Sequence, residues 1–116
     1  MKDFLLVYRT DQNTIAAFSK RSPEEMQANT KRWMDWIGGI AAQNKLVDRG
    51  NRLFPTGSVV KSGSIVADGP YTEIKESIMG YSVIKADSLQ EAIKLADGCP
   101  ILAAGGNVEV REINSL

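Results

Sequence analysis

The chain has 116 residues, 43% apolar and 24% charged, which suits one folded domain over residues 1–116 with its own core and excludes disorder. Lysine plus arginine (14) balances aspartate plus glutamate (14), and the densest basic cluster is only Lys20-Arg21, so neither nucleic acid nor an anionic membrane is expected as a partner. Histidine is absent and cysteine occurs once, at Cys99, which excludes an intrachain disulfide, the His-dependent nucleophile systems and the usual zinc sites.

Phe4, Leu6 and Tyr8 alternate with Leu5, Val7 and Arg9, which predicts a strand with apolar side chains on both faces. The run over 4–8 is too short for a signal-peptide core and no segment has the length of a membrane span, so a cytoplasmic protein without membrane attachment is expected. Helices on one side of a small sheet leave its other face wet unless a second subunit covers it, so a homodimer is expected. Ser22 before Pro23, Glu24 and Glu25 opens a helix running to about Gln43: a capping hydroxyl, proline at the first helical position and acids at the positive dipole end. Met26, Trp33, Ile37, Ile40 and Ala41 make its core stripe, with Met34 and Trp36 at the edges. Gly38-Gly39 falls on its outer side, and Asn44 can end it in the left-handed region.

Past a loop marked by Gly50, Pro55 and Gly57, residues 59–61 and 64–67 flank Ser62-Gly63 as a hairpin, and Asp68-Gly69-Pro70 stops its second strand. Residues 78–86 form a longer strand, and Ser88 with Glu91 is a capping box opening a helix with the stripe Leu89, Ala92, Ile93 and Ala96. Gly98 and Pro100 end that helix, Gly105-Gly106-Asn107 turns the chain, and 108–113 alternates as a last strand. The order strand, helix, hairpin, strand, helix, strand is the split βαβ plan with one additional strand. It predicts a ferredoxin-like α+β domain with both helices on one face of an antiparallel sheet.

The run Asp68-Gly69-Pro70-Tyr71-Thr72-Glu73-Ile74-Lys75-Glu76, followed by Gly80-Tyr81 and by Val108-Glu109-Val110-Arg111-Glu112-Ile113, resembles the YCII-related family, specifically its DGPF-type branch. Trp33-Met34-Asp35-Trp36 and Leu53 stand where that family has such residues. The resemblance spans nearly the whole chain and implies a dimeric, ferredoxin-like domain of the dimeric α/β barrel type, in a family whose biochemical roles are mostly unassigned. Related members include a dehydrochlorinase of a muconate-type compound and proteins with a His-Asp pair proposed as catalytic. Here Tyr71 replaces the usual Phe, Glu112 stands where Pro often follows Arg, and there is no histidine, so the His-Asp pair does not carry over.

Asp68 heads the candidates for chemistry. It stands at a predicted strand end with Glu73 and Glu76 close in sequence, and grouped carboxylates push one another's pKa values apart for acid–base work; alternatively it caps the backbone amides that follow, as Asp-Gly commonly does. Glu73, Lys75 and Glu76 form either a recognition patch for a small polar or carboxylated ligand or a solvated charged face. Tyr81 is suited to donate to a bound carboxylate or enolate, or else is an interior tyrosine with a satisfied hydroxyl. Arg9 can pair an anionic ligand in bidentate fashion, or pair with Asp68 or Glu76. Cys99 follows a helix C-terminus, where the dipole disfavours a thiolate, and reads as structural; Trp33 and Trp36 read as core or interface anchors. Gly105-Gly106 lacks the strand-loop-helix setting of a phosphate-cradling loop and reads as a turn; no cofactor is expected, nor, without histidine, a metal. Three readings stay open: a small dimeric lyase or isomerase using Asp68 with Tyr81 or Arg9, a non-catalytic ligand-binding or regulatory module, and a structural interaction domain.

Overall fold

The structure, a computed structural model, describes residues 1–69 and 76–115. Its centre is strand β1 (Lys2–Asp11), which pairs antiparallel with β5 (Glu76–Ala86) on one side and with β6 (Asn107–Glu112) on the other. The far edge of β5 takes up β2 (Leu46–Asp48), also antiparallel, so the sheet reads β2-β5-β1-β6. Helices α2 (Pro23–Ala42) and α3 (Leu89–Ala96) cover one face, which is the predicted ferredoxin-like arrangement.

Strand alternation decides what that face buries. Phe4, Leu6 and Tyr8 of β1 and Ile84 and Ala86 of β5 point to the helices and join Ile40 of α2 with Ala92 and Ala96 of α3 in one cluster. Both helix starts follow their signals: Ser22 Oγ accepts from the Glu25 amide at 3.2 Å, and Ser88 Oγ from the Glu91 amide at 3.2 Å. Trp36 ties the helices together by donating Nε1–H to the Leu95 carbonyl at 3.0 Å. Asn44 leaves α2 with φ +60°, as its position predicted.

The structure departs from the sequence reading at several places. The hairpin of β3 (Gly57–Lys61) and β4 (Ile65–Gly69) forms a two-stranded sheet of its own rather than an additional strand of the main one. The edge strand is instead β2, three residues long and separated from α2 by residues 43–45 alone. Two short helices lay unread: α1 (Gln12–Phe18), whose cap is Asp11 Oδ1 accepting from the Thr14 amide at 2.7 Å, and α4 (Pro100–Ala103). Of the predicted helix stripes, Ile37 and Ile40 of α2 and Ala92 and Ala96 of α3 are buried, whereas Met26, Ala41, Leu89 and Ile93 are exposed. Each helix thus meets the sheet along a narrower seam than its apolar residues allow.

The hairpin turns through Gly63 (φ +81°) and Ser64 (φ +63°), and leaves Val60 74% and Val66 61% exposed. No described helix is long and apolar enough to cross a membrane.

Candidate functional site

The site is built on the edge of β5. After β2 the chain does not leave the sheet: Asp48 Oδ1 accepts from the Gly50 amide at 2.8 Å, and Gly50 (φ +74°) turns the backbone along β5. The Tyr81 amide then donates to the Asn51 carbonyl at 3.2 Å and the Leu53 amide to the Met79 carbonyl at 2.8 Å. Two glycines permit this approach. A Cβ on Gly50 would lie 1.7 Å from the Tyr81 carbonyl oxygen, and one on Gly80 2.7 Å from the Asn51 carbonyl oxygen.

A second link runs through the sheet. Tyr8 donates its hydroxyl proton to Ser82 Oγ at 2.7 Å, and Ser82 donates to the Arg49 carbonyl at 2.6 Å. The chain of hydroxyls fixes the Arg49 loop to the buried centre of the sheet. Ser82→Ala removes the acceptor of Tyr8, which is 6% exposed, so it is expected to destabilise the fold by about 1–3 kcal/mol in urea unfolding. A variant as stable as the parent would mean that water can replace the serine there.

Tyr8 also stands edge-on to Trp33 of α2, with centroids 4.9 Å apart and planes at 82°, and Trp33 stands edge-on to Trp36 at 5.7 Å. Between these rings, α1 and the 49–55 loop opens a cleft of about 530 Å³. Its floor is Tyr8, Ile37, Ser82 and Ile101, all buried; Trp33, Met79, Ile15 and Phe18 make its walls. Arg21, Arg49 and Arg52 stand at its margin with Asn29 and Asn51, and its described lining holds no aspartate or glutamate. The volume lies in the range of about 300–1,000 Å³ usual for small-molecule sites.

The residues singled out from sequence fall in three places. Arg9 and Glu76 are brought together: Arg9 Nε donates to Asn107 Oδ1 at 3.0 Å and lies 3.8 Å from Glu76 Oε2, Asn107 Nδ2 donates to Glu76 Oε1 at 3.0 Å, and Glu109 Oε1 is 3.9 Å from Arg9 Nη1. This network joins β1, β5 and β6 at one end of the sheet. Tyr81 borders the cleft and accepts a hydrogen bond on its hydroxyl from Asn51 Nδ2 at 3.1 Å, while its register opposite Val7 puts it on the face away from Tyr8 and Ser82. Asp68 pairs with Ser58 in the hairpin, described as backbone alone, and Glu73 and Lys75 lie outside the described residues. Sequence reasoning missed Arg49, Asn51, Arg52 and Ser82 because only the folded register of β5 unites them; the one local signal was the pair Gly50 and Gly80.

Burial shapes the titrating groups. It raises the Tyr8 phenol well above its ordinary value, the Ser82 hydrogen bond offsetting only part of the effect, and pushes the Cys99 thiol up to about 12. Both groups lose their protons more readily in the unfolded chain, so the stability they support is complete below about pH 8.5 and is lost as pH rises through the thiol and phenol ranges toward the folded values. Cys99→Ala is expected to delay the onset of this alkaline loss by roughly one pH unit, to the phenol range, read from unfolding midpoints between pH 7 and 11.

Fold and cleft together define an α+β protein of ferredoxin-like topology with an apolar cavity on the helix side of its sheet. The YCII-related domain model matches residues 3–116. A protein of Rhizobium meliloti (strain 1021), described as uncharacterised, is 30% identical over 114 residues, covering 89% of this chain and 85% of its own. The chain belongs to the YCII-related domain family.

Proposed function

We propose that this protein binds a small organic molecule in the cleft over Tyr8 and Ser82 and works as a cytoplasmic homodimer. The observation that carries the ligand site is the cleft itself: about 530 Å³ of space with a buried floor, apolar walls and its charged groups confined to the margin. Trp33 forms part of its wall, so saturable quenching of tryptophan fluorescence in a screen of small organic compounds is the expected result. Thr30→Phe, which fills the cleft from α2, should remove the response; quenching that survives it would locate binding elsewhere.

The dimer is supported by shape and exposure. The Cα radius of gyration is 15.5 Å, against roughly 13 Å for a compact domain of this length. Isolated two-stranded hairpins are marginal in water, yet this one exposes Val60, Ile65 and Val66, and the sheet face away from the helices carries Leu5, Val83 and the exposed Ile78. A second copy meeting that face in the manner of a dimeric α/β barrel would cover both. Sedimentation equilibrium should give twice the chain mass, and a monomer at micromolar concentration would end this part of the proposal.

Turnover in the cleft needs a base from outside its described lining, which has no carboxylate and whose Tyr8 is held protonated by burial. Our candidate is Asp68, in the DGPF-type run, for acid–base chemistry of lyase or isomerase type on a carboxylated molecule. Asp68→Asn should then abolish turnover and leave binding intact. The lack of a base in the described lining favours a second reading, a ligand-sensing module, which saturable binding without product formation would support.

A further inference from the structure

We infer that the ligand of this cleft is an organic anion, a carboxylate carried on a flat apolar body. The inference rests on the cleft being a small-molecule site and adds the chemistry of what enters it. Charge is distributed unevenly: the chain as a whole is balanced at 14 basic and 14 acidic residues, yet the cleft margin carries Arg21, Arg49 and Arg52 and its described lining no acid. Such one-signed lining between low-dielectric walls focuses a field that draws in the opposite charge.

Two of the three guanidiniums rest against groups other than carboxylates. Arg9, Lys2, Lys31 and Lys45 each have a carboxylate within ion-pair distance. Arg21 instead lies over the Phe18 ring at 4.3 Å from its centroid, and Arg49 Nη1 sits 3.9 Å from Met34 Sδ. Apolar and polarisable groups thus position these two cations without neutralising them, and Arg52 makes no ion pair with a described residue. A planar guanidinium presents a fork of donors matched to a carboxylate, a match that a neutral ligand of the same shape lacks. Below them Trp33, Met79 and Ile37 offer apolar surface for a flat body, and the protonated Tyr8 adds no negative charge to oppose the anion.

The isosteric pair 2-naphthoate and 2-naphthamide separates charge from shape, and titration calorimetry on the full chain measures both. The naphthoate is expected to bind about tenfold or more tightly than the amide, with a preference that shrinks as salt is raised. Arg49→Gln with Arg52→Gln should remove most of the preference, the naphthoate losing far more affinity than the amide; both side chains are exposed and the fold should tolerate their loss. Equal affinities in the parent protein would overturn anion recognition, and a preference undiminished by the double substitution would overturn its assignment to these arginines; either result leaves the cleft reading intact. Binding of neither compound would overturn this inference, and the fluorescence screen with Thr30→Phe would then decide the cleft reading by itself.

Discussion

Gly50→Ala is expected to cost about 3–5 kcal/mol, a large part of the roughly 5–15 kcal/mol that holds a domain of this kind together. The new Cβ would sit 1.7 Å from the Tyr81 carbonyl oxygen and 2.6 Å from its carbon, and neither backbone atom can move without the strand. The loop must therefore lift off β5. That breaks the Tyr81 to Asn51 and Leu53 to Met79 hydrogen bonds and removes the Arg49 carbonyl from Ser82, at about 1 kcal/mol each beyond the strain of a non-glycine residue at φ +74°. Gly63→Ala is the control, because its φ of +81° is similar while a Cβ there meets nothing within 4 Å. Urea unfolding should show the Gly63 variant losing about 1 kcal/mol. Equal losses in the two variants would mean that backbone conformation alone, and not the close approach, governs Gly50.

Phe4→Ala should cost a similar amount, about 3–5 kcal/mol, for an unrelated reason. Phe4 is fully buried on the central strand, in a cluster whose other members include Ala86, Ala92 and Ala96. Alanines cannot lean into the space that an aromatic ring vacates, so the cavity persists and its full cost is felt. Phe4→Leu retains most of the volume and should lose about 1.5 kcal/mol or less. A Phe4→Ala variant within 1 kcal/mol of the parent would show a core able to collapse around the hole, contrary to the close packing described.

What could be read from the sequence was local. Ser22-Pro23-Glu24-Glu25 and Ser88 with Glu91 announce helices because the capping partner lies three residues away, and both caps form. The order of the long elements then constrains topology strongly enough to give the ferredoxin-like sheet. The unread parts depend on tertiary pairing. Nothing within Leu46–Asp48 marks a three-residue strand until the edge of β5 is there to receive it. The seven residues of α1 offer Asp11 as a cap but too short a period for a stripe. Leu89 and Ile93 fit the helical period and are nevertheless exposed, because α3 turns the edge that carries Ala92 and Ala96 to the core. The cleft was least legible of all, since Tyr8, Trp33, Arg49 and Ser82 come from four separate stretches of chain and no spacing links them.

Cys99 is a free thiol only 3% exposed, set between the end of α3 and the start of α4, its amide donating to the Ala96 carbonyl and its carbonyl accepting from Leu102. A disulfide reagent cannot reach it in the closed protein. The unmodified protein therefore carries a built-in clock: the rate at which a reagent such as dithionitrobenzoate labels Cys99, divided by the rate for an unstructured thiol, gives the fraction of time that this corner of the core stands open. Followed against denaturant, that ratio separates a local fraying of α4, which needs little new surface, from the global unfolding that exposes the whole sheet.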